Sequence, residues 1–189
     1  MHYYDFFKSP QGRMLLVADD KALTGAYFSG QKYLPRIEAD WKHDSRHAQL
    51  VRAKRELAEY FSGKRKRFSV KLAPRGTPFQ RSVWKAIAGV GFGKTIAYAE
   101  LARRAGRPGS ARAAGAATGR NPIGILVPCH RIVGSNGSLT GYAGGLSKKR
   151  ALLALEARVA WSKRNQPAIA EYNKRVRRSG VFSDGLRSF

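Results

Sequence analysis

A change of sequence pattern near residue 75, which marks a domain boundary, constrains the fold more than any other feature. Residues 73–76 are Ala-Pro-Arg-Gly, and Thr77-Pro78-Phe79-Gln80 follows with the pattern of a capping box that has proline at the first helical position. Short β-forming segments precede the break, whereas helical spacing of apolar residues follows it. We therefore expect one domain over residues 1–76, a second over residues 77–160, and a basic C-terminal extension over residues 161–189.

The first part has the pattern of an antiparallel meander followed by a helix. The expected strands are rich in β-forming residues and are separated by turn residues; they cover residues 3–8, 14–18 and 23–28. Ser45 is a candidate N-cap for a helix that ends near Phe61. Residues 68–72 are a candidate returning strand.

The second part has the pattern of a helix-turn-helix unit. The helix that begins after Thr77 should carry Val83, Trp84 and Ile87 inward. A glycine-rich turn at 106–109 separates two further short helices, the second of which opens at Ser110. That helix holds almost no bulk except Arg112, so it could press against a flat surface with one guanidinium projecting; a core helix packed by small residues is the alternative.

The charge of the chain indicates a polyanionic partner. Lys and Arg number 36 against 12 Asp and Glu, which gives a formal net charge of +24. Such a field attracts nucleic acid, although a ribosomal or packaging protein without chemistry would explain the charge equally well. The run Lys64-Arg65-Lys66-Arg67 could join a nucleic-acid footprint or form a solvated turn.

The single cysteine excludes an internal disulfide and a structural zinc site built from several cysteines. We expect no metal and no cofactor. The N-terminal residues are never apolar for long enough to form a signal core or a membrane span, so we expect no membrane partner. A cytoplasmic location is expected, or a nuclear one if the source is eukaryotic.

The single thiol lies in a context that suggests reactivity. Residues 125–127 have the pattern of a buried strand that Pro128 stops, which would place Cys129 at a strand end beside His130. An inert buried cysteine is the alternative. A helix capped by Ser147 would place Glu156 on its apolar face, where the carboxylate could hold the imidazole; an exposed glutamate on a frayed turn is the other interpretation.

Several motifs together resemble one family. Pro128-Cys129-His130-Arg131, preceded by Asn121-Pro122 and followed by residues 142–146, resembles the signature of the O6-alkylguanine-DNA alkyltransferases, and the similarity covers residues 77–160. The resemblance implies an α+β chain with an RNase H-like N-terminal domain and a winged-helix-like alkyltransferase domain that contains the helix-turn-helix.

The resemblance also implies a reaction. An alkyl group, such as methyl, would pass irreversibly from O6-alkylguanine in duplex DNA to Cys129, once per protein molecule. His130 would deprotonate the thiol through a water, Glu156 would orient His130, and Asn121 would brace the adjoining turn. A non-catalytic alkyltransferase-like protein that only recognises damage is the main rival, and the presence of cysteine at 129 argues against it.

The remaining implied residues bind DNA and the damaged base. The helix at 110–120 would enter the minor groove with Arg112 filling the gap left by the flipped nucleotide, and its other expected DNA contacts are Ser110, Ala111, Gly115 and Arg120. The expected base contacts are Tyr98, Tyr142, the carbonyl groups of Cys129 and Ile132, and the amide of Ala143, where many relatives carry serine. The partner would be double-stranded DNA containing O6-alkylguanine, bound by a monomer, with cooperative assembly on DNA left open.

Overall fold

The computed structural model describes residues 1–179 as an α+β fold, which confirms the expected fold class. Residues 180–189, the end of the expected extension, lie outside this description. The strands are β1 (Tyr3–Ser9), β2 (Gly12–Ala18), β3 (Leu23–Phe28), β4 (Lys42–His43), β5 (Ile96–Ala97) and β6 (Ile132–Val133). The helices are α1 (Ala48–Phe61), α2 (Pro78–Ala88), α3 (Tyr98–Arg104), α4 (Ala111–Gly119) and α5 (Leu146–Ser179), with a 3-10 turn at Cys129–Arg131.

The N-terminal part is a four-stranded sheet covered by α1. Strands β1, β2 and β3 form the expected antiparallel meander, and the short β4 adds to β1 in parallel, so the strand order is β3-β2-β1-β4. The buried face of α1 carries Leu50, Ala53, Leu57 and Tyr60. Burial of these side chains against the sheet is the main favourable contribution to this part of the fold.

The expected start of α1 at Ser45 is wrong. The N-cap is His47, and its side chain makes no capping hydrogen bond. The amide of Lys42 donates to the carbonyl of His2, and that of Asp44 donates to Tyr4. Because β4 holds this segment extended along β1, the helix cannot begin before the chain leaves the sheet edge.

The expected strand at 68–72 is also wrong. One isolated bridge joins Leu72 to Leu23, and the amides of Ser69 and Val70 donate instead to the carboxylate of Glu56. Glu56 is fully buried. Its carboxylate uses the amides that a strand ladder would need.

The helical part begins as expected. Thr77 and Gln80 form the capping box of α2, and Val83, Trp84 and Ile87 are buried. The indole of Trp84 donates to the carbonyl of Ala117 at 2.8 Å, which ties α2 to α4. Ser110 is the N-cap of α4 as expected, without a side-chain capping bond.

The segment before the cysteine is a compact turn, so the expected strand at 125–127 is wrong. The segment 122–124 is hydrogen-bonded to β3 of the N-terminal sheet. The amide of Ala26 in β3 donates to the carbonyl of Pro122, and the amide of Gly124 donates to the carbonyl of Ala26. Directly afterwards Ile125 adopts a positive φ of 70°, and the amide of Val127 donates to Ile123. This reversal takes the chain away from the sheet edge and places the 3-10 turn that contains Cys129 against α5.

Helix α5 differs from expectation at both ends. It begins at Leu146, so Ser147 lies inside its first turn and is not the cap. It continues to Ser179 with Pro167 inside it, although the sequence of the extension shows only weak helical patterning. The reason is that most side chains from Trp161 onward are exposed, so no packed face imposes an apolar period on them. None of the helices in residues 1–179 is both long and apolar enough to cross a membrane.

Candidate active site

The thiol of Cys129 lies at the start of the 3-10 turn and is almost covered, with 6% of the residue exposed. The side-chain amide of Asn121 donates to the Cys129 sulfur at 3.2 Å and to the carbonyl of Val127 at 2.9 Å. The Asn121 side-chain oxygen accepts from the amide of Ile123 at 3.0 Å. Asn121 therefore holds the turn and the thiol in one geometry.

His130 and Glu156 form a buried pair. The Nε2 atom of His130 lies 2.8 Å from Oε1 of Glu156, and both side chains are fully buried. Burial lowers the pKa of His130, although the hydrogen bond to Glu156 acts in the opposite direction. A carboxylate can only accept, so Nε2 carries the hydrogen, and the buried Nδ1 atom has no partner among the described residues.

Two further side chains hold Glu156, and neither was expected from the sequence. Arg131 donates to both carboxylate oxygens of Glu156 and to the carbonyl of Val90, and the hydroxyl of Tyr60 donates to Oε1 at 2.8 Å. The amide of Gly93 donates to Oε2 at 2.9 Å. Burial alone would raise the pKa of Glu156, but the bonds from His130 and Arg131 outweigh burial and bring it to about 2. Arg131 could have been suspected from its place in the motif, whereas nothing in the sequence connects Tyr60 to Glu156.

Lys149 is a buried cation whose role was also not expected from the sequence. Its ammonium donates to the carbonyl oxygens of Ile132 at 2.5 Å and Thr140 at 2.6 Å. The side chain is fully buried, and no carboxylate of residues 1–179 lies within ion-pairing distance of it. Helical spacing could have found it, because Lys149, Leu152 and Glu156 share one face of α5.

The thiol is subject to opposing influences. Burial raises the pKa of Cys129, while the hydrogen bond from Asn121 and the positive charge of Lys149 lower it. Lys149 is affected in a corresponding way. Burial lowers the pKa of its ammonium, and the negative charge of a Cys129 thiolate would raise it. An ammonium and a reactive sulfur thus lie close enough to stabilise each other's charged form.

Several of the expected base-binding residues lie near the thiol. The hydroxyl of Tyr98 donates to the carbonyl of Thr140 at 3.2 Å, and burial together with the charge of Cys129 raises the pKa of both Tyr98 and Tyr142. The carbonyl of Ile132 already accepts from Lys149, and that of Ala143 accepts from the amide of Lys32 at 3.1 Å. The tyrosines, the Ile132 carbonyl and the 140–143 loop therefore occur at one site.

Helix α4 has one packed face and one open face. Ala114, Ala117 and Thr118 are buried, so the core interpretation holds for that side, whereas Arg112, Ala113 and Ala116 are exposed on the other. Ser110, Ala111 and Gly115 are half-buried between the faces, and a methyl group at Gly115 would lie 3.5 Å from the ring of Tyr98. Arg120, just past the helix, stacks on Tyr33 of the N-terminal part at 4.9 Å. No cluster of three or more potential metal ligands (His, Cys, Asp or Glu) occurs within residues 1–179.

Three family models match the chain. The DNA-binding domain of 6-O-methylguanine DNA methyltransferase matches residues 78–158, and the ribonuclease-like domain of the same family matches residues 2–74. The post-segregation antitoxin CcdA matches residues 150–189. The first two cover both parts of the fold and confirm the expected ribonuclease-like first domain.

Similar proteins agree with the first two models. The methylated-DNA–protein-cysteine methyltransferase of Methanosarcina barkeri is 47% identical over 154 residues, which are 82% of this chain and 96% of that protein. The constitutive enzyme of that name from Bacillus subtilis is 35% identical and covers 87% of this chain and all of its own length. The crystal structure of Mycobacterium tuberculosis OGT in complex with DNA is 41% identical, with a TM-score of 0.78 over 83% of this chain and 94% of that one. The chain therefore belongs to the 6-O-methylguanine DNA methyltransferase family.

Proposed function

We propose that this protein repairs DNA by moving an alkyl group, such as methyl, from O6 of guanine in duplex DNA onto the sulfur of Cys129. The observation that carries the proposal is the arrangement of one thiol, bound by Asn121, beside an imidazole that a buried carboxylate fixes. The relatives named methylated-DNA–protein-cysteine methyltransferase support the same reaction class.

The reaction is a displacement at carbon. The Cys129 sulfur forms a bond to the alkyl carbon as the bond from that carbon to O6 breaks, and the leaving electron pair returns to the guanine, which takes up a proton. The products are unmodified guanine and a thioether. Thioethers have no low-energy leaving route in water, and the chain contains no second thiol to accept the group. Each protein molecule therefore acts once.

His130 is the base that prepares the thiol. Its pKa is lowered, so the imidazole is neutral near pH 7, and its Nε2 hydrogen is directed at Glu156. The free lone pair is therefore on Nδ1, and that atom takes the thiol proton through one water. Arg131 and Tyr60 keep Glu156 ionised and in place, and the resulting imidazolium is stabilised by the carboxylate.

Lys149 contributes to the same step. Its ammonium stabilises the thiolate electrostatically, and its bonds to the carbonyls of Ile132 and Thr140 fix the loop that adjoins the base site. The carbonyl oxygen of Cys129 accepts from the Ile132 amide, and that of Ile132 accepts from Lys149. Each oxygen keeps a second lone pair that can accept from the guanine amino group. Tyr142 forms a wall of the pocket, Tyr98 bonds the ring edge, and the Ala143 amide faces O6.

The base must leave the duplex to reach the sulfur of Cys129, a residue that is only 6% exposed. Flipping costs a few kcal/mol, and less for a base whose pairing is already weakened. Helix α4 offers a face of small residues that allows close approach to the minor groove, and Arg112 projects from this face to occupy the gap. Ser110, Ala111, Gly115 and Arg120 provide the adjoining contacts, and the solved complex of the M. tuberculosis protein with DNA supports this partner. The protein acts as a monomer, in the cytoplasm or, in a eukaryote, the nucleus.

Incubation with a duplex that carries a labelled O6-methylguanine tests the proposal. We expect label on the protein at up to one equivalent and none on a Cys129→Ser variant. Lesion-dependent binding without transfer would instead identify a damage-recognition protein. Binding that ignores the lesion would identify a packaging protein.

A further inference from the structure

The basic run after α1 lies against the start of the extension and forms a second charged surface with it. Gly63, at the end of α1, approaches α5 so closely that a methyl group there would lie 2.8 Å from Val159, and one at Gly93 would lie 3.2 Å from Ala160. These close contacts leave no room for α5 to shift toward them. The position of Lys163 relative to the 64–67 turn is therefore set by the fold.

Two neighbouring cavities open on this surface and share the side chain of Lys66. One has a volume of about 570 Å³, and its basic lining residues are Lys66, Arg158 and Lys163. The other has a volume of about 620 Å³ and is lined by Lys66 and Arg67 together with Phe68, Phe92 and Arg131. We call the group of Lys64, Lys66, Arg67, Arg158 and Lys163 the second basic surface.

The charges of this surface are not neutralised within the described chain. Arg65, in the same turn, pairs with Glu59 at 2.6 Å. By contrast, no carboxylate of residues 1–179 lies within ion-pairing distance of any member of the second basic surface. Positive charges held together without counter-charges repel one another, and a bound polyanion relieves that repulsion.

No residue of the second basic surface belongs to the proposed lesion site, although Arg131, which holds Glu156, lines the cavity that Lys66 and Arg67 also line. The residues of this surface come from the 64–67 turn after α1 and from the middle of α5, and none of them lies in α4 or the 140–143 loop. From Trp161 to Ser179 the helix adds exposed cations at Arg164, Lys174, Arg175, Arg177 and Arg178, against one acidic residue, Glu171. At 1.5 Å per residue this part of α5 is about 28 Å long. Cations lie at both ends of this stretch, a separation that suits an extended polyanion such as a phosphate backbone better than a small anion.

We propose that the second basic surface binds the phosphate backbone of duplex DNA away from the damaged base, an inference that rests on DNA being the partner in the proposed function. The contact is independent of sequence and of the lesion, because phosphates are the same at every position. It lengthens the footprint and holds the protein on undamaged DNA between encounters with lesions.

The test is the salt dependence of binding to an undamaged duplex by a Lys66→Gln, Arg158→Gln and Lys163→Gln triple variant. The matched control is Lys8→Gln, Lys21→Gln and Lys42→Gln, which removes the same charge from exposed positions on the N-terminal strands and the turn between β2 and β3. Each lost phosphate contact lowers the slope of log K against log salt by about 0.9. We expect the first variant to lose about 2 to 3 from the slope and the control to lose less than about 1.

Alkyl transfer from a short lesion-bearing duplex is measured on the same preparations, at saturating protein and low salt. We expect the transfer rate to be unchanged in both triple variants. Equal slopes for the two variants would overturn the second surface while leaving transfer intact, whereas absence of transfer in the unmodified protein would overturn the proposed function instead. Sedimentation without DNA adds one more outcome. If the unmodified protein and the control variant are dimers and the first triple variant is a monomer, a second copy of the chain occupies this surface and the proposal is wrong.

Discussion

Tyr60, on the helix of the N-terminal domain, donates a hydrogen bond of 2.8 Å to Glu156, on the last helix of the chain. The ribonuclease-like domain thus contacts the carboxylate that holds His130. The Tyr60 hydroxyl also lies 3.5 Å from Nε2 of His130. Burial and the neighbouring Glu156 charge raise the pKa of Tyr60, so it remains a donor at every pH of interest. The first domain is therefore part of the support of the active site.

Removal of this one hydroxyl should weaken that support. We expect Tyr60→Phe to lower the free energy of unfolding by about 1 to 2 kcal/mol, because a charge-assisted hydrogen bond is lost while the ring remains. Urea unfolding measures the change. Tyr27→Phe is the control, since its hydroxyl has no hydrogen-bond partner among the described residues; an equal loss in both variants would show that the Glu156 contact contributes nothing.

Loss of the imidazole should separate chemistry from binding. We expect His130→Ala to slow single-turnover alkyl transfer by about a hundredfold, the lower range for a general base, with DNA affinity unchanged. His43→Ala is the control, because that side chain is exposed and lies in the N-terminal sheet. Unchanged transfer in His130→Ala would remove this residue from the mechanism.

Lys149 should set the pH at which the thiol becomes reactive. Burial raises the pKa of Cys129 and the positive charge of Lys149 lowers it, so Lys149→Met should raise that pKa further and move the inflection of the transfer rate to higher pH. Lys149→Arg should restore part of the shift. The neighbouring Lys148→Met, whose charge lies over Phe28, should leave the profile in place. A profile that does not move in Lys149→Met would reduce Lys149 to a structural role.

Stability should fall at acidic pH through Glu56. Burial would raise the pKa of this carboxyl, but hydrogen bonds from Ser69 and Val70 bring it from 4.5 to about 2. Because the pKa is lower in the folded than in the unfolded state, the ionised carboxylate stabilises the fold by about 3 kcal/mol. This stabilisation is complete above the unfolded pKa of about 4.5 and is lost as the pH falls toward 2. Urea unfolding at pH 7 and pH 3 measures about 2 kcal/mol of this loss, because pH 3 is still above the folded pKa. Glu56→Gln should be less stable at pH 7 and lose less on acidification; an equal acid-induced loss in both proteins would contradict the assignment.

Arg112 should matter only when the base has to leave a duplex. We expect Arg112→Ala to slow transfer from duplex DNA by about tenfold, since the side chain no longer offsets part of the flipping cost of a few kcal/mol. The same lesion in a single-stranded oligonucleotide is the control, because unstacking is already largely complete there. A similar loss on both substrates would point to a general phosphate contact.

Local patterns in the sequence predicted much of this molecule. The capping box of Thr77 and Gln80, the inward face of α2 and the antiparallel meander depend on residues that are neighbours along the chain, and all three were correct. The errors occurred where a distant segment competes for the backbone. Strand β4 delays the start of α1, and Glu56 takes the amides that the expected strand at 68–72 needed.

For the candidate site, the sequence by itself determined the reactive groups. It supplied the lone Cys129, the adjacent His130 and, through helical spacing, a carboxylate at Glu156 on the apolar face of α5. Only the tertiary structure decided what surrounds them: Tyr60 beside Glu156, Lys149 beneath the Ile132 carbonyl, and the course of α5 past the 64–67 turn. The physical reason is that side-chain type and helical period are local properties, whereas these contacts form only when two domains pack and buried polar groups find partners across the interface.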